Sequence, residues 1–252
     1  PSMGKTAFAL DLARAAAVRF NVPVGFFTLE MHDTELTDRL LSSMTGVPSY
    51  KIKGKGGYKL TGEEWGRLEN GLNTLSRAQM FIDETPGLPI TEFVTKARKL
   101  KHDHDIGLII IDYLQLMQGS SSSSGYREQE VSSISRTLKA TAKDLNIPII
   151  ALSQLNRNLA ARPGSNGRPM LSDLRESGAI EQDADMVMFV HRPFMLGFGE
   201  DEHATEIIVA KNRSGKTGSV ELYYNGDLFQ FEEPHSLMEM AESAMNVPSE
   251  PA

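Results

Sequence analysis

The 252-residue chain contains no cysteine. That excludes disulfides and thiolate-bound metals and leaves a reducing compartment open. No run of about 18 apolar residues is present, the length a membrane-spanning helix needs, and no secretory signal is visible. An excess of basic charge is missing as well. Lys and Arg number 26 against 33 Asp and Glu, a formal net charge of −7. This balance disfavours a protein coated in nucleic acid but leaves room for a local basic site. No internal repeat is seen. What remains is an ordinary globular composition, 40% hydrophobic and 23% charged, long enough for one large domain or two small ones and a sizeable core.

One further absence lies inside the motif that organises the chain. Pro1-Ser2-Met3-Gly4-Lys5-Thr6 is the back half of a phosphate-binding loop, G-x-x-x-x-G-K-[ST]. The first Gly of that pattern would fall two residues before Pro1, and the strand expected to feed the loop is not there. The chain is therefore expected to be a fragment whose start is truncated inside the loop. Ala7 to Phe20 is alanine-rich with apolar residues at helical spacing, which predicts a helix of about four turns. A loop entering a helix N-terminus aims backbone N–H groups and the positive dipole end at one place. Ser2, Met3, Gly4, Lys5, Thr6 and Ala7 are the expected nucleotide-binding residues. Lys5 would reach the β- and γ-phosphates of a nucleotide, and the Thr6 hydroxyl would hold Mg²⁺. A second Gly-Lys-Thr, Gly215-Lys216-Thr217, is followed by a strand-like run and reads as a hairpin turn.

Further along, apolar runs alternate with helical patterns. Strands are predicted at Val22 to Leu29, Met80 to Ile82, Gly107 to Ile111, Pro148 to Leu152 and Ala184 to Val190. Helices are predicted at Asp33 to Met44, Thr61 to Arg77, Thr91 to Lys101 and Arg127 to Leu145. Thr61-Gly62-Glu63-Glu64 has capping-box spacing. This alternation through Val190 predicts an α/β fold, a mostly parallel twisted sheet with helices on both faces. Thr205 to Lys211, Ser219 to Tyr224 and Leu228 to Phe231 predict antiparallel strands at the C-terminal end, with Asn225-Gly226 as a hairpin signal. Val47 to Lys59, rich in Gly and Lys, reads as a solvated connection more readily than as a phosphate patch. Gly119 to Gly125, with its five serines, and Asn156 to Ser177 are expected loops.

Three of the runs stop at a polar residue: Leu29-Glu30, Ile111-Asp112 and Ser153-Gln154. In an open parallel sheet ligands bind beyond the carboxyl ends of the strands. Asp112 after four apolar residues is a Walker B pattern, placing a carboxylate to hold Mg²⁺ beside Thr6. Glu30 is suited to orient, or take a proton from, the water attacking the γ-phosphate. Gln154 can contact the γ-phosphate from its other side. Lys211 and Arg213, two apart at a strand end, share a face and suit the same anion; a solvated strand end is the competing reading. The second loop carries Arg157, Arg162, Arg168 and Arg175 and has no aromatic residue. Arg175, Ser177 and backbone near Gly178 can grip backbone phosphates with little sequence preference, and a subunit-contact loop is the competing reading.

At these residues the sequence resembles the hexameric replicative DNA helicases of the bacterial DnaB type, in their C-terminal motor domain. The matching stretches are Pro1 to Thr6, Thr28 to Met31, Ile111 to Met117, Ala151 to Arg157 and Ser172 to Asp185, in order over nearly the whole chain to about Phe231. The resemblance implies a RecA-like P-loop ATPase core over residues 1–233, followed by an acidic, disordered tail, 234–252. It implies a homo-hexamer in the cytoplasm with ATP and Mg²⁺ between neighbours. Lys5, Thr6, Glu30, Asp112 and Gln154 would come from one subunit, Lys211 and Arg213 from the next. It also implies that both loops line a channel for single-stranded DNA, with Arg175, Glu176, Gly178 and Arg127 in contact, and that primase and a helicase loader are partners. The family's N-terminal helical domain has no counterpart in the sequence. The alternatives kept open are a strand-exchange ATPase of the RecA kind, which lacks the Asp173 to Asp185 pattern, and a nucleotide-binding scaffold.

Overall fold

In the computed structural model the described residues are 3–119, 127–155 and 166–234. The first helix, α1 (Lys5–Arg14), continues as one π-helical turn, Ala15–Arg19. It is followed by β1 (Val24–Thr28), α2 (Asp33–Thr45), the one-turn α3 (Ser49–Ile52), α4 (Gly62–Arg77), β2 (Met80–Asp83), α5 (Ile90–His104) and β3 (Leu108–Asp112). Next come α6 (Arg127–Leu145), β4 (Ile149–Ala151), α7 (Gly178–Asp183), β5 (Met186–His191), β6 (Ala204–Asn212), β7 (Gly218–Asn225) and β8 (Gln230–Glu232).

The first four strands form a parallel sheet in the order β2-β1-β3-β4. β1 and β3 lie at its centre and every residue of both is buried. Side chains alternate across a strand, so two cores result. Phe27, Ile109 and Ile111 face Phe93 and Ala97 of α5 and Ile134 of α6. Phe26, Leu108 and Ile110 face Ala9, Leu10 and Ala13 of α1 and Leu36 and Leu40 of α2. Truncating one such aliphatic side chain to Ala typically costs about 2–5 kcal/mol, so these two layers fix the positions of the strand ends. Thr61 caps α4 as expected: its Oγ1 accepts from Glu64 N–H at 3.1 Å, and Glu64 Oε2 accepts from Thr61 N–H at 2.9 Å.

The remaining strands form a second sheet, antiparallel, in the order β5-β6-β7-β8. This corrects the expectation for residues 184–190, which the alternation assigned to the parallel sheet. β5 pairs antiparallel with its sequence neighbour β6, and neither strand joins the parallel sheet. The burial of β5 alternates, as in a sheet with one covered face. The turn after β6 holds Gly215-Lys216-Thr217, as predicted. The last turn is longer than Asn225-Gly226 alone. Asn225 pairs with Gln230, and its Oδ1 accepts from the N–H groups of Asp227 and Leu228 at 3.1 and 3.3 Å. The Gly- and Lys-rich stretch is the connection expected of it, with Lys51 paired to Glu64 and Lys53 to Asp38. No helix among the described residues is long and apolar enough to cross a membrane. The five-serine run, residues 156–165 and the tail from 235 lie outside the described residues.

Candidate functional site

The β1–β3 register sets Thr28 beside Asp112, so both central strands end at the same edge. Here the order of strands reverses, since the chain runs from β1 outward to β2 and returns to β3 on the other side. Such a switch point is where open sheets bind ligands. The N-terminus of α1 opens onto it. Gly4, with φ +86°, makes the turn into the helix, and the first intrahelical bond runs from Phe8 N–H to the Gly4 carbonyl at 2.8 Å. The N–H groups of Lys5, Thr6 and Ala7 precede that ladder. No side chain caps them and no acid sits in the first turn, so the positive end of the helix is left for an anion.

Thr6 Oγ1 donates to Asp112 Oδ2 at 2.6 Å. The Asp112 side chain is 1% exposed, and its other oxygen, Oδ1, is buried with no hydrogen-bond partner. Lys5 Nζ stands 3.9 Å from that oxygen and 4.6 Å from the centre of the Tyr113 ring. Burial holds the Lys5 ammonium below its ordinary pKa, against the attraction of Asp112 and Glu30. Glu30 is itself exposed, just past β1. An orphaned carboxylate oxygen beside a hydroxyl fits a Mg²⁺ ion, which takes one or two protein ligands and fills its shell with water and phosphate. Among the described residues no cluster of three or more acidic, His or Cys groups exists to hold a metal without such help.

Gln154 lies just beyond β4, exposed, on the same edge. A residue outside the predicted set braces it. Gln115 Nε2 donates to Ser153 Oγ at 2.7 Å, and Gln115 Oε1 accepts from Gln154 N–H at 3.2 Å. The Leu114 N–H bonds the Leu152 carbonyl at 2.9 Å, which closes the same junction. Local sequence offers little signal for this tie, because Gln115 and Ser153 are 38 positions apart.

The antiparallel sheet touches the site from the side. Phe231 of β8 stacks edge-on against Phe8 of α1 at 5.4 Å and lies 4.7 Å from Tyr224 of β7. Its N–H bonds Asp11 Oδ2 at 2.9 Å. A Cβ on Gly4 would stand 3.0 Å from the Phe231 ring and 3.6 Å from Tyr224, so glycine is required there both by conformation and by space.

Lys211 and Arg213 do converge, but on carbonyls. Lys211 Nζ donates to the Glu181 carbonyl at 2.5 Å, and Arg213 Nη2 to the Gln182 carbonyl at 2.6 Å. Both acceptors lie at the C-terminal end of α7, where the helix dipole is negative. The backbone of Arg175, Glu176 and Ser177 forms a 3₁₀ turn leading into α7 at Gly178. That turn rests on a small core in which Leu174 packs with Val187, Phe189 and Ile208. The side chains of Arg127, Arg175 and Glu176 lie outside the described residues, as does Ser2. Arg168, at the loop's end, is bonded to Glu206 of β6 through Nε at 3.0 Å and Nη2 at 2.5 Å.

Residues 1–233 match the family described as "DnaB-like helicase C terminal domain". The chain is 45% identical over 225 residues to the replicative DNA helicase DnaB of Geobacillus stearothermophilus, covering 89% of this chain and 48% of that protein. It is 45% identical over 260 residues to the replicative DNA helicase DnaB of Rickettsia conorii, covering 92% of this chain and 51% of that one. The chain thus spans about half the length of these relatives. Among solved structures it resembles one described as an ATPase domain, with a TM-score of 0.85 at 35% identity over 92% of this chain and 81% of that one. A DnaB-like replicative helicase, described together with its interactions with primase, gives a TM-score of 0.85 at 35% identity, covering 92% of this chain and 55% of the other.

Proposed function

The chain belongs to the family of DnaB-like helicase C-terminal domains, and on that premise we propose that residues 1–233 are the ATP-hydrolysing motor of a replicative DNA helicase. One observation carries the reading: Thr6 and Asp112 meet at 2.6 Å, and the second Asp112 oxygen is buried without a hydrogen-bond partner, beside the bare N-terminus of α1. The phosphates of ATP sit on the N–H groups of Lys5, Thr6 and Ala7, with Met3 and Gly4 shaping the approach. Lys5, short of solvation through burial and held only loosely by Asp112 at 3.9 Å, gains in a phosphate a closer counter-charge. Thr6 and Asp112 would hold Mg²⁺, which would supply positive charge against the phosphates. Glu30, on the open side, orients the attacking water and accepts its proton. Gln154, braced by Gln115, contacts the γ-phosphate and relays its loss to the loop that follows.

Lys211 and Arg213 complete the site from a neighbouring copy in a homo-hexameric ring. Arg175, Glu176, Gly178 and Arg127 line the channel and hold single-stranded DNA by its phosphates. Primase and a loader are the partners, and the cytoplasm is the location. The deciding experiment is unwinding of a forked duplex by the full-length protein. ATP-dependent strand separation that Lys5→Ala abolishes is expected. Hydrolysis that leaves the fork intact, or normal unwinding by the variant, would overturn the reading.

A further inference from the structure

Behind the two cations stands an acidic residue for which the mechanism above has no task. Asp185 follows the end of α7. Its carboxylate is bonded by Lys139 of α6 and lies 3.4 Å from Arg213 Nη1. Its carbonyl accepts the Arg213 N–H at 2.9 Å. With the Gln182 carbonyl on Nη2, Arg213 is held from behind at three atoms, by elements that belong to one small assembly of α6, α7 and the end of β6. The hydrogen bond from Lys139, with Arg213 and Lys211 adding to it, keeps the Asp185 carboxyl below the usual carboxylate range. These cations favour its anionic form.

Stability does not account for this arrangement. The Asp185 side chain is 61% exposed and that of Arg213 51%, and ion pairs so open to water add little to folding. Their effect is on direction. A guanidinium carries five N–H donors in a rigid fork, enough to be gripped on one side and to meet an anion on the other. An arginine at a strand end is otherwise free to sample many rotamers, and each one away from the reactive geometry lowers the rate.

We propose that Asp185, braced by Lys139, is a positioning residue for Arg213 and through it for hydrolysis of a nucleotide bound to the neighbouring copy. The proposal rests on Arg213 acting across a subunit boundary. It separates two properties that a merely structural residue would move together, the rate of hydrolysis and the affinity for nucleotide.

The test is steady-state ATP hydrolysis by the full-length protein carrying Asp185→Asn, beside Arg213→Ala, with binding of a fluorescent ADP analogue measured on each. In Asp185→Asn, kcat should fall by about 10- to 100-fold, while KM and the Kd of the analogue stay within about twofold of wild type. Asp185→Glu should keep most of the rate. Mixed with Lys5→Ala subunits, Asp185→Asn should regain activity, because its own phosphate loop is intact and the partner supplies a positioned cation. A normal kcat for Asp185→Asn beside an inactive Arg213→Ala overturns the positioning role and leaves the motor reading standing. An active Arg213→Ala overturns the underlying assignment, and the proposal with it. Should Asp185→Asn fail to fold, Lys139→Gln serves instead. There a lowered kcat at unchanged KM supports the proposal, and an unchanged kcat overturns it.

Discussion

At the edge of the parallel sheet the polar groups find one another. Thr6 bonds Asp112, Lys5 stands beside it, and Gln115 ties the end of β3 to that of β4. At the end of β6 the cations settle on two helix carbonyls and on Asp185, in the open. Asp112 is 1% exposed and Arg213 about half. The first group is therefore already assembled within one chain, where burial fixes its geometry. The second is displayed, and its geometry depends on a few surface contacts. In the proposed motor, a site divided in this way would keep phosphate binding private to each copy and leave the accelerating charge to be delivered by a neighbour.

Mutations should fall on either side of that division. The sharpest break is Arg213→Ala, for which hydrolysis by the full-length protein should drop about 10³- to 10⁵-fold, as on losing an arginine finger. Part of the activity should return when it is mixed with Lys5→Ala, and no return in rings shown to be mixed would place both residues in the same copy's site. Next comes Glu30→Ala on the private side. Turnover should fall about 10²- to 10⁴-fold, the usual contribution of a general base, with nucleotide affinity kept and no rescue by Arg213→Ala partners. Normal hydrolysis would remove Glu30 from its assigned task.

The smallest effect concerns acid. None of the four parallel strands contains a histidine, whereas β5 ends in His191, which is 4% exposed. Burial holds its pKa below 6.5, Glu206 draws it back up, and Arg168 adds to the depression. The unfolded chain then takes up a proton at a pH where the folded chain does not. The resulting stability is complete above the unfolded value near 6.5 and is lost as pH falls through the lower, folded one, at up to about 1.4 kcal/mol per pH unit. Thermal melts between pH 7.5 and 5 should show this loss, and His191→Gln should flatten it. An equally steep curve in the variant would trace acid sensitivity to other groups.

The same division explains what could be read from the sequence. β1 and β3 are buried on both faces, so their runs are apolar without a break and end in a visible polar stop. Thr61 and Glu64 cap α4 through neighbours in sequence. Lys5, Thr6 and Asp112 announce themselves by residue type and place. β5 misled because Met-Val-Met-Phe-Val is apolar throughout, although its residues alternate between buried and open positions. The π-helical turn after α1 falls in Ala15-Ala16-Ala17, where uniform side chains carry no mark of a change in pitch. Gln115 with Ser153, and Lys139 with Asp185, are pairs 38 and 46 positions apart. Only the fold brings them together, and neither member of either pair stands out alone.

The seating of Phe231 against Gly4 has a consequence for how the protein folds. The hydrogen bond from Phe231 to Asp11 spans 220 positions, and contacts of such long range form late in folding. Gly4 therefore gains its packing against Phe231 only once β8 has docked on α1.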